Sequence, residues 1–178
     1  GFAALDLARR VGASGRVTAL DKASPYLDFL RAEARRRSLD NVRTVEADIT
    51  ALRTLDGPLD GAFCRFFLAF LIADLDRVLE TIHRSLRPGG VFSAMEYLTL
   101  AAAACSPPNR GFDAHTRAWT AYYRAHGGDT EVGGYLPQRL ERAGFEIAHV
   151  SRAGGTARPG ERWWTWWGGP RRSTSPRS

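Results

Sequence analysis

Lysine, methionine and cysteine are scarce in this 178-residue chain, and each shortage excludes a class of chemistry. Lys22 is the only lysine, so 24 of the 25 basic residues are arginine. A Tyr-x-x-x-Lys proton relay needs a tyrosine four positions before a lysine, and position 18 is threonine. That removes one class of nicotinamide-dependent hydride-transfer enzyme. The two cysteines, Cys64 and Cys105, belong to no CxxC pair and no Cys/His cluster. Free thiols in a reducing compartment are expected, with neither a disulfide framework nor a metal site. No apolar run approaches the roughly 20 residues that span a bilayer, and no leader-like segment opens the chain, so a cytoplasmic protein is expected. The first residue is glycine rather than methionine, and a fragment is expected.

A basic stripe interleaved with aromatics is also missing. The net charge is +6, yet Arg35-Arg36-Arg37 is the only internal basic triplet. It falls on a helical pattern whose other face is apolar, so a solvated helix face is expected there and a nucleic-acid partner is not. What the chain does have is an ordinary globular composition, 44% hydrophobic and 25% charged, in a length suited to one domain with a real core.

Through residue 97 the pattern alternates helix and strand. Phe2–Val11 reads as a helix stopped by Gly12, and Val17–Leu20 as a short apolar strand ending at Asp21. Ser24 is expected to cap a second helix, with Pro25 at its first position, running to about Ser38. Asn41–Ala47 is a strand leading into Asp48-Ile49-Thr50. Ala62–Phe67 is another. A helix starting at Asp74 or Asp76 carries Leu75, Val78, Leu79, Ile82 and Leu86 on one face. Leu86-Arg87-Pro88-Gly89-Gly90 reads as its stop, and Val91–Tyr97 as the next strand. Such alternation predicts a parallel sheet. Beyond it come a loop to Gly111, a helix over 112–126 with Trp119, Tyr122 and Tyr123, a short helix over 135–143, and a strand over 145–150. A late strand or loop over 151–167, including Trp163–Trp167, and a disordered tail over 168–178 complete the expectation.

A glycine opening a helix, with a carboxylate about 20 positions on at the end of the next strand, is the spacing of a nucleotide-type site. Together with Glu46-Ala47-Asp48-Ile49, Leu59–Arg65, Leu86–Val91 and Gly144–Ile147, in this order, the stretch resembles the class I S-adenosylmethionine-dependent methyltransferases. The resemblance implies an α/β, Rossmann-like, doubly wound and mostly parallel sheet with helices on both faces, its cofactor-binding domain over residues 1–150 and an acceptor-side cover over 97–143. The cofactor it implies is S-adenosyl-L-methionine. Asp21 would take the ribose hydroxyls, with Lys22 beside the adenosine. Asp48 would take the adenine amino group, flanked by Ala47 and Ile49. Cys64 and Arg65 would lie beside the methionine moiety, whose approach Gly1 lines. Each has a plainer reading: Asp21 and Asp48 as turn or cap residues, Arg65 as a snorkelling edge residue.

Methyl transfer from a sulfonium is an in-line displacement, so alignment supplies much of the rate, and a base is needed only if the acceptor must lose a proton. The candidates are Glu96, Asp113, His115, Tyr122, Tyr123 and His126, with Glu96 best placed at a strand end. The acceptor expected is a small molecule, with no membrane partner. A cofactor-deficient remnant and a nicotinamide-dependent oxidoreductase are the alternatives. In the resembled topology a strand before Gly1 lies between Val17–Leu20 and Ala62–Phe67. Without it both runs would have an unpaired edge, and a poorly soluble chain is expected.

Overall fold

The computed structural model describes residues 1–152 and 154, of which 1–147 form one compact unit. Helix α1 (Phe2–Val11) buries Leu5 and Ala8, places Arg9 and Arg10 at its carboxyl end, and stops at Gly12, whose φ of 73° a side chain would oppose. Strand β1 (Val17–Asp21) follows, then α2 (Ser24–Arg36), which buries Leu27, Leu30 and Ala34. Ser24 does not cap α2: Ala23 occupies the cap position, and Ser24 and Pro25 are already in the first turn. The Ala23 N–H is instead taken by Asp21, two residues back. Strand β2 (Val42–Glu46) pairs parallel with β1, from Val17 opposite Val42 to Asp21 opposite Glu46. Asn41 ties this half together. Its side-chain amide donates to the carbonyls of Ala8 (2.9 Å) and Gly12 (2.8 Å), closing the exposed end of α1 against the start of β2.

Strand β3 (Leu59–Arg65) begins three residues earlier than its apolar run suggests, because pairing with β4 (Leu86–Met95) also recruits Leu59. The segment expected to stop a helix and lead into the next strand lies inside β4. Leu59 faces Leu86 and Gly61 faces Val91, so Arg87–Gly90 bulge out opposite Asp60, and Arg87 Nε donates to the Asp60 carboxylate at 2.7 Å. Helix α3 (Leu75–Ser85) buries Leu75, Val78, Leu79 and Ile82 as its spacing requires. Helix α4 (Arg110–Ala125) is capped by Asn109, which accepts the Phe112 N–H, and α5 (Leu136–Arg142) closes the unit.

The strands form two parallel ladders, β1–β2 and β3–β4, with the unpaired edges expected on β1 and β3. Among the described residues, β1 and β3 each pair on one edge only. Their burial follows from that. Val17–Leu20 and Ala62–Phe67 were expected to be enclosed on both faces, yet Thr18 is exposed and Phe63 is 43% exposed. Among the described residues the run 145–150 forms no strand and pairs with no ladder. Phe145 instead packs edge-on against His83 and against the Phe92 ring. Trp163–Trp167 and the tail over 168–178 lie outside the described residues.

Two apolar cores result. The smaller joins Leu5, Leu30 and Ala34 beneath the first ladder. The larger gathers Ile49, Leu68, Leu75, Val78, Leu79, Ile82, Tyr123, Val132 and Leu136 around the second. Each fully buried Leu or Val contributes roughly 1.5–3 kcal/mol.

Candidate functional site

All four strands run in the same sense within their ladders, so their carboxyl ends gather the polar residues. In the first ladder Asp21 and Glu46 are level, and the Ala47 N–H donates to the Asp21 carbonyl at 3.1 Å. One carboxylate oxygen of Asp21 accepts the Ala23 N–H at 2.9 Å, and the other has no protein partner among the described residues. The side chain is held in place and still has an acceptor to offer. Asp48 is built the same way. Its Oδ1 accepts both the Thr50 N–H (2.9 Å) and the Thr50 hydroxyl (2.7 Å), capping the 3-10 turn Ile49–Ala51. These bonds, the hydroxyl first, hold its carboxyl below the usual range, and the nearby charges of Lys22 and Arg77 add to the effect. Both plainer readings are therefore present, each using one oxygen and leaving the other. Ile49, the residue after Asp48, turns into the larger core, so its side chain packs and only its backbone remains at the strand end.

Gly1 caps α1 without a side chain, and the first free amide groups of that helix open beside it. A Cβ at Gly1 would meet the Phe29 ring at 3.5 Å and the Leu30 Cβ at 4.0 Å, both ordinary contacts. Sterics do not demand the glycine there.

In the second ladder Cys64 faces inward against the larger core. Burial, and secondarily the Glu96 charge, pushes its thiol pKa far up, so it remains a neutral thiol. Arg65 is exposed, its guanidinium 5.9 Å from the centre of the Phe66 ring. Phe66 itself has φ of 50°, a left-handed conformation costly for a bulky residue. Glu96, at the end of β4, holds the chain just beyond it: Oε1 accepts the N–H groups of Phe67 and Leu68, each at 2.8 Å. Its Oε2 is buried with no partner. Burial raises the Glu96 pKa, against the pull of those amides.

The helix expected as a cover divides its aromatics. Tyr123 is 2% exposed, stacks on Phe70 (4.4 Å between centres) and meets Tyr97 edge-on, while Tyr97 stacks on Phe66 at 4.5 Å. His115, Trp119, Tyr122 and His126 form a separate ladder of rings on the outer face, exposed to solvent. His115 and Tyr122 thus point away from the strand ends, because at 3.6 residues per turn only the stripe containing Tyr123 can face the core. His126 is occupied locally, its Nδ1 2.8 Å from the Tyr122 carbonyl oxygen. Asp113 lines a groove of about 580 Å³ with Arg117 and Arg124 beside Ala103. A second cavity of about 700 Å³, around Arg16 and Asp40, lies at the opposite, amino-terminal end of the first ladder. Neither includes the strand-end carboxylates.

The sequence missed Asn41 as the tie of the first half and Glu96 as an amide-binding residue. Glu96 was singled out, but as a base. No local signal marks a bond to groups 28 and 29 residues away.

Among the described residues no group of three His, Cys, Asp or Glu side chains could hold a metal ion, and no helix is long and apolar enough to cross a membrane.

Residues 1–90 match the family described as methyltransferase domain. Over 98 residues the chain is 31% identical to a 2-phytyl-1,4-naphtoquinone methyltransferase of Nostoc sp.; the matched stretch is 54% of this chain and 42% of that protein. An S-adenosylmethionine-dependent methyltransferase from Aquifex aeolicus superposes with a TM-score of 0.61 at 18% identity, covering 84% of this chain and 69% of the other. The [4+2]-cyclase SpnF superposes with a TM-score of 0.59 at 24% identity, covering 82% and 48%. At these identities the two structures establish the Rossmann-like α/β fold, and that fold carries more than one chemistry. The match over residues 1–90 spans the polar strand ends of the first ladder and β3, and on it the chain belongs to the methyltransferase domain family, the class I S-adenosylmethionine-dependent methyltransferases.

Proposed function

We propose that this chain supplies the S-adenosylmethionine-binding half of an enzyme that methylates a small apolar molecule. The observation that carries the reading is the pair Asp21 and Asp48, at adjacent strand ends, each fixed through one oxygen by its own backbone turn. Asp21 would accept from the two ribose hydroxyls, with Lys22 alongside. Asp48 would accept the adenine amino group, with the backbone of Ala47 and Ile49 at the ring edge. The amino end of α1 at Gly1 and the β3 end at Cys64 and Arg65 would border the methionine part. Bound there, the cofactor supplies an electrophilic methyl group.

The protein's main contribution is then alignment and exclusion of water. His115 and Tyr122 face outward, whereas Glu96 keeps Oε2 without a partner among the described residues and remains the candidate base where the acceptor must lose a proton. Phe66, Phe70 and Tyr97, backed by the buried Tyr123, offer an aromatic wall beside β3 and β4, suited to a planar or apolar acceptor. The Nostoc relative, named for a naphthoquinone substrate, supports an acceptor of that kind. Calorimetric titration with S-adenosylhomocysteine tests the reading: micromolar binding is expected, and Asp48→Ala should weaken it about tenfold with the fold intact. No binding at millimolar ligand would reject it. Unfolding of Asp48→Ala would reduce Asp48 to a turn cap.

A further inference from the structure

The same Glu96 oxygen that fixes the β3 exit lies at the start of a chain of contacts that reaches α4. It holds the amides of Phe67 and Leu68 at the start of the 3-10 turn Leu68–Phe70. The far end of that turn is the seat of the α4 exit. The Ala69 carbonyl accepts the Asp129 N–H at 2.8 Å, and Phe70 stacks on Tyr123. One residue after Glu96, the Tyr97 carbonyl accepts the Gly133 N–H at 2.8 Å, and the Tyr97 ring meets Tyr123. These approaches are close enough to require glycine. A Cβ on Gly128 would lie 2.7 Å from the Ala69 oxygen, and one on Gly133 2.6 Å from the Tyr97 oxygen. The connection after α4 therefore rests on two carbonyls, one held through Glu96 and the other adjacent to it.

We infer that Glu96 is a positioning residue that couples the cofactor-side turn after Arg65 to the α4 cover, so that occupancy of one side sets the order of the other. This rests on the reading of Asp21 and Asp48 as the cofactor site. A ligand held beside Arg65 and Phe66 would stiffen the turn, and the turn would stiffen the segment over 110–134 through Ala69 and Phe70. The strained Phe66 fits the role, since its conformation persists only where its surroundings hold it.

Hydrogen exchange on the full chain, with and without S-adenosylhomocysteine, is the test. In the native chain the ligand should slow exchange over both 66–71 and 110–134. Glu96→Ala should speed exchange in both segments by about tenfold, leave 17–47 unchanged, and abolish the ligand's effect on 110–134. Glu96→Gln keeps an acceptor oxygen and should restore both. Gly128→Ala cuts the link from the other side and should loosen 66–71 as well as 110–134 without touching Glu96. If Gly128→Ala loosens 110–134 alone, or Glu96→Gln behaves like Glu96→Ala, the coupling is overturned. Should Glu96→Ala unfold throughout, the Gly128→Ala result decides. If the native chain fails to bind the ligand, the cofactor reading fails, while the exchange linkage between the two segments is still measured by Gly128→Ala.

Discussion

The two ladders solve the same problem with different reach. In the β1–β2 half the two strand-end carboxylates are fixed by bonds two residues long, Asp21 to Ala23 and Asp48 to Thr50, over a core of three buried side chains among the described residues. In the β3–β4 half the corresponding strand end is fixed across 28 and 29 residues by Glu96, over a core of ten. The first half can keep its site geometry with little packing, because each carboxylate is tied to its own turn. The second half cannot, since its site exists only when distant segments are docked. On the proposed reading, cofactor recognition sits on the lightly packed half and the acceptor side on the heavily packed one.

The largest effect that could break this contrast is a cavity in each core. Leu79→Ala, at a fully buried site in the larger core, should cost about 4 kcal/mol, and Leu30→Ala in the smaller one about 2–3 kcal/mol. Urea unfolding followed by circular dichroism measures both. Equal costs would mean that the smaller core is as tightly enclosed as the larger. The next effect belongs to the first half alone. Asn41→Ala leaves the Ala8 and Gly12 carbonyls without their donor and should cost about 1–2 kcal/mol. A negligible change would show that water replaces the amide freely and that this half is held by its apolar contacts.

This difference in reach also explains what could be read from the chain. Asp21, Asp48 and the helix over 75–85 were legible because turns, caps and 3.6-residue periodicity are local. Strand positions were legible from apolar runs, but their pairing was not, and a run such as 145–150 looks like a strand whether or not a ladder is there to receive it. The bulge at Arg87–Gly90 was read as a helix stop, since proline and glycine mark both. In α4 the sequence gives three adjacent candidates at 119, 122 and 123. Only the docking of the helix selects Tyr123 for burial and turns His115, Trp119 and Tyr122 outward. Glu96 was conspicuous as a carboxylate at a strand end, yet the amides it holds could not be inferred without the fold.

The smallest expected effect sharpens the contrast through pH. Burial raises the Glu96 pKa in the folded chain, so the folded state binds a proton more readily than the unfolded one. Stability should therefore fall as pH rises from the ordinary carboxylate range through the raised value. Glu96→Gln should remove that slope. Urea midpoints at about pH 5 and 7 compare the two proteins, and a slope unchanged in the variant would assign it to another group.

The central claim, that the first ladder's strand end is the cofactor site, is tested most directly by titrating S-adenosylhomocysteine into Asp21→Asn alongside the native chain. The substitution keeps an oxygen for the Ala23 amide and replaces the free charged acceptor. The account predicts binding weaker by about ten- to a hundredfold with an unchanged thermal midpoint, the loss of charge-assisted hydrogen bonds to the ribose. Equal dissociation constants for the two folded proteins would contradict it.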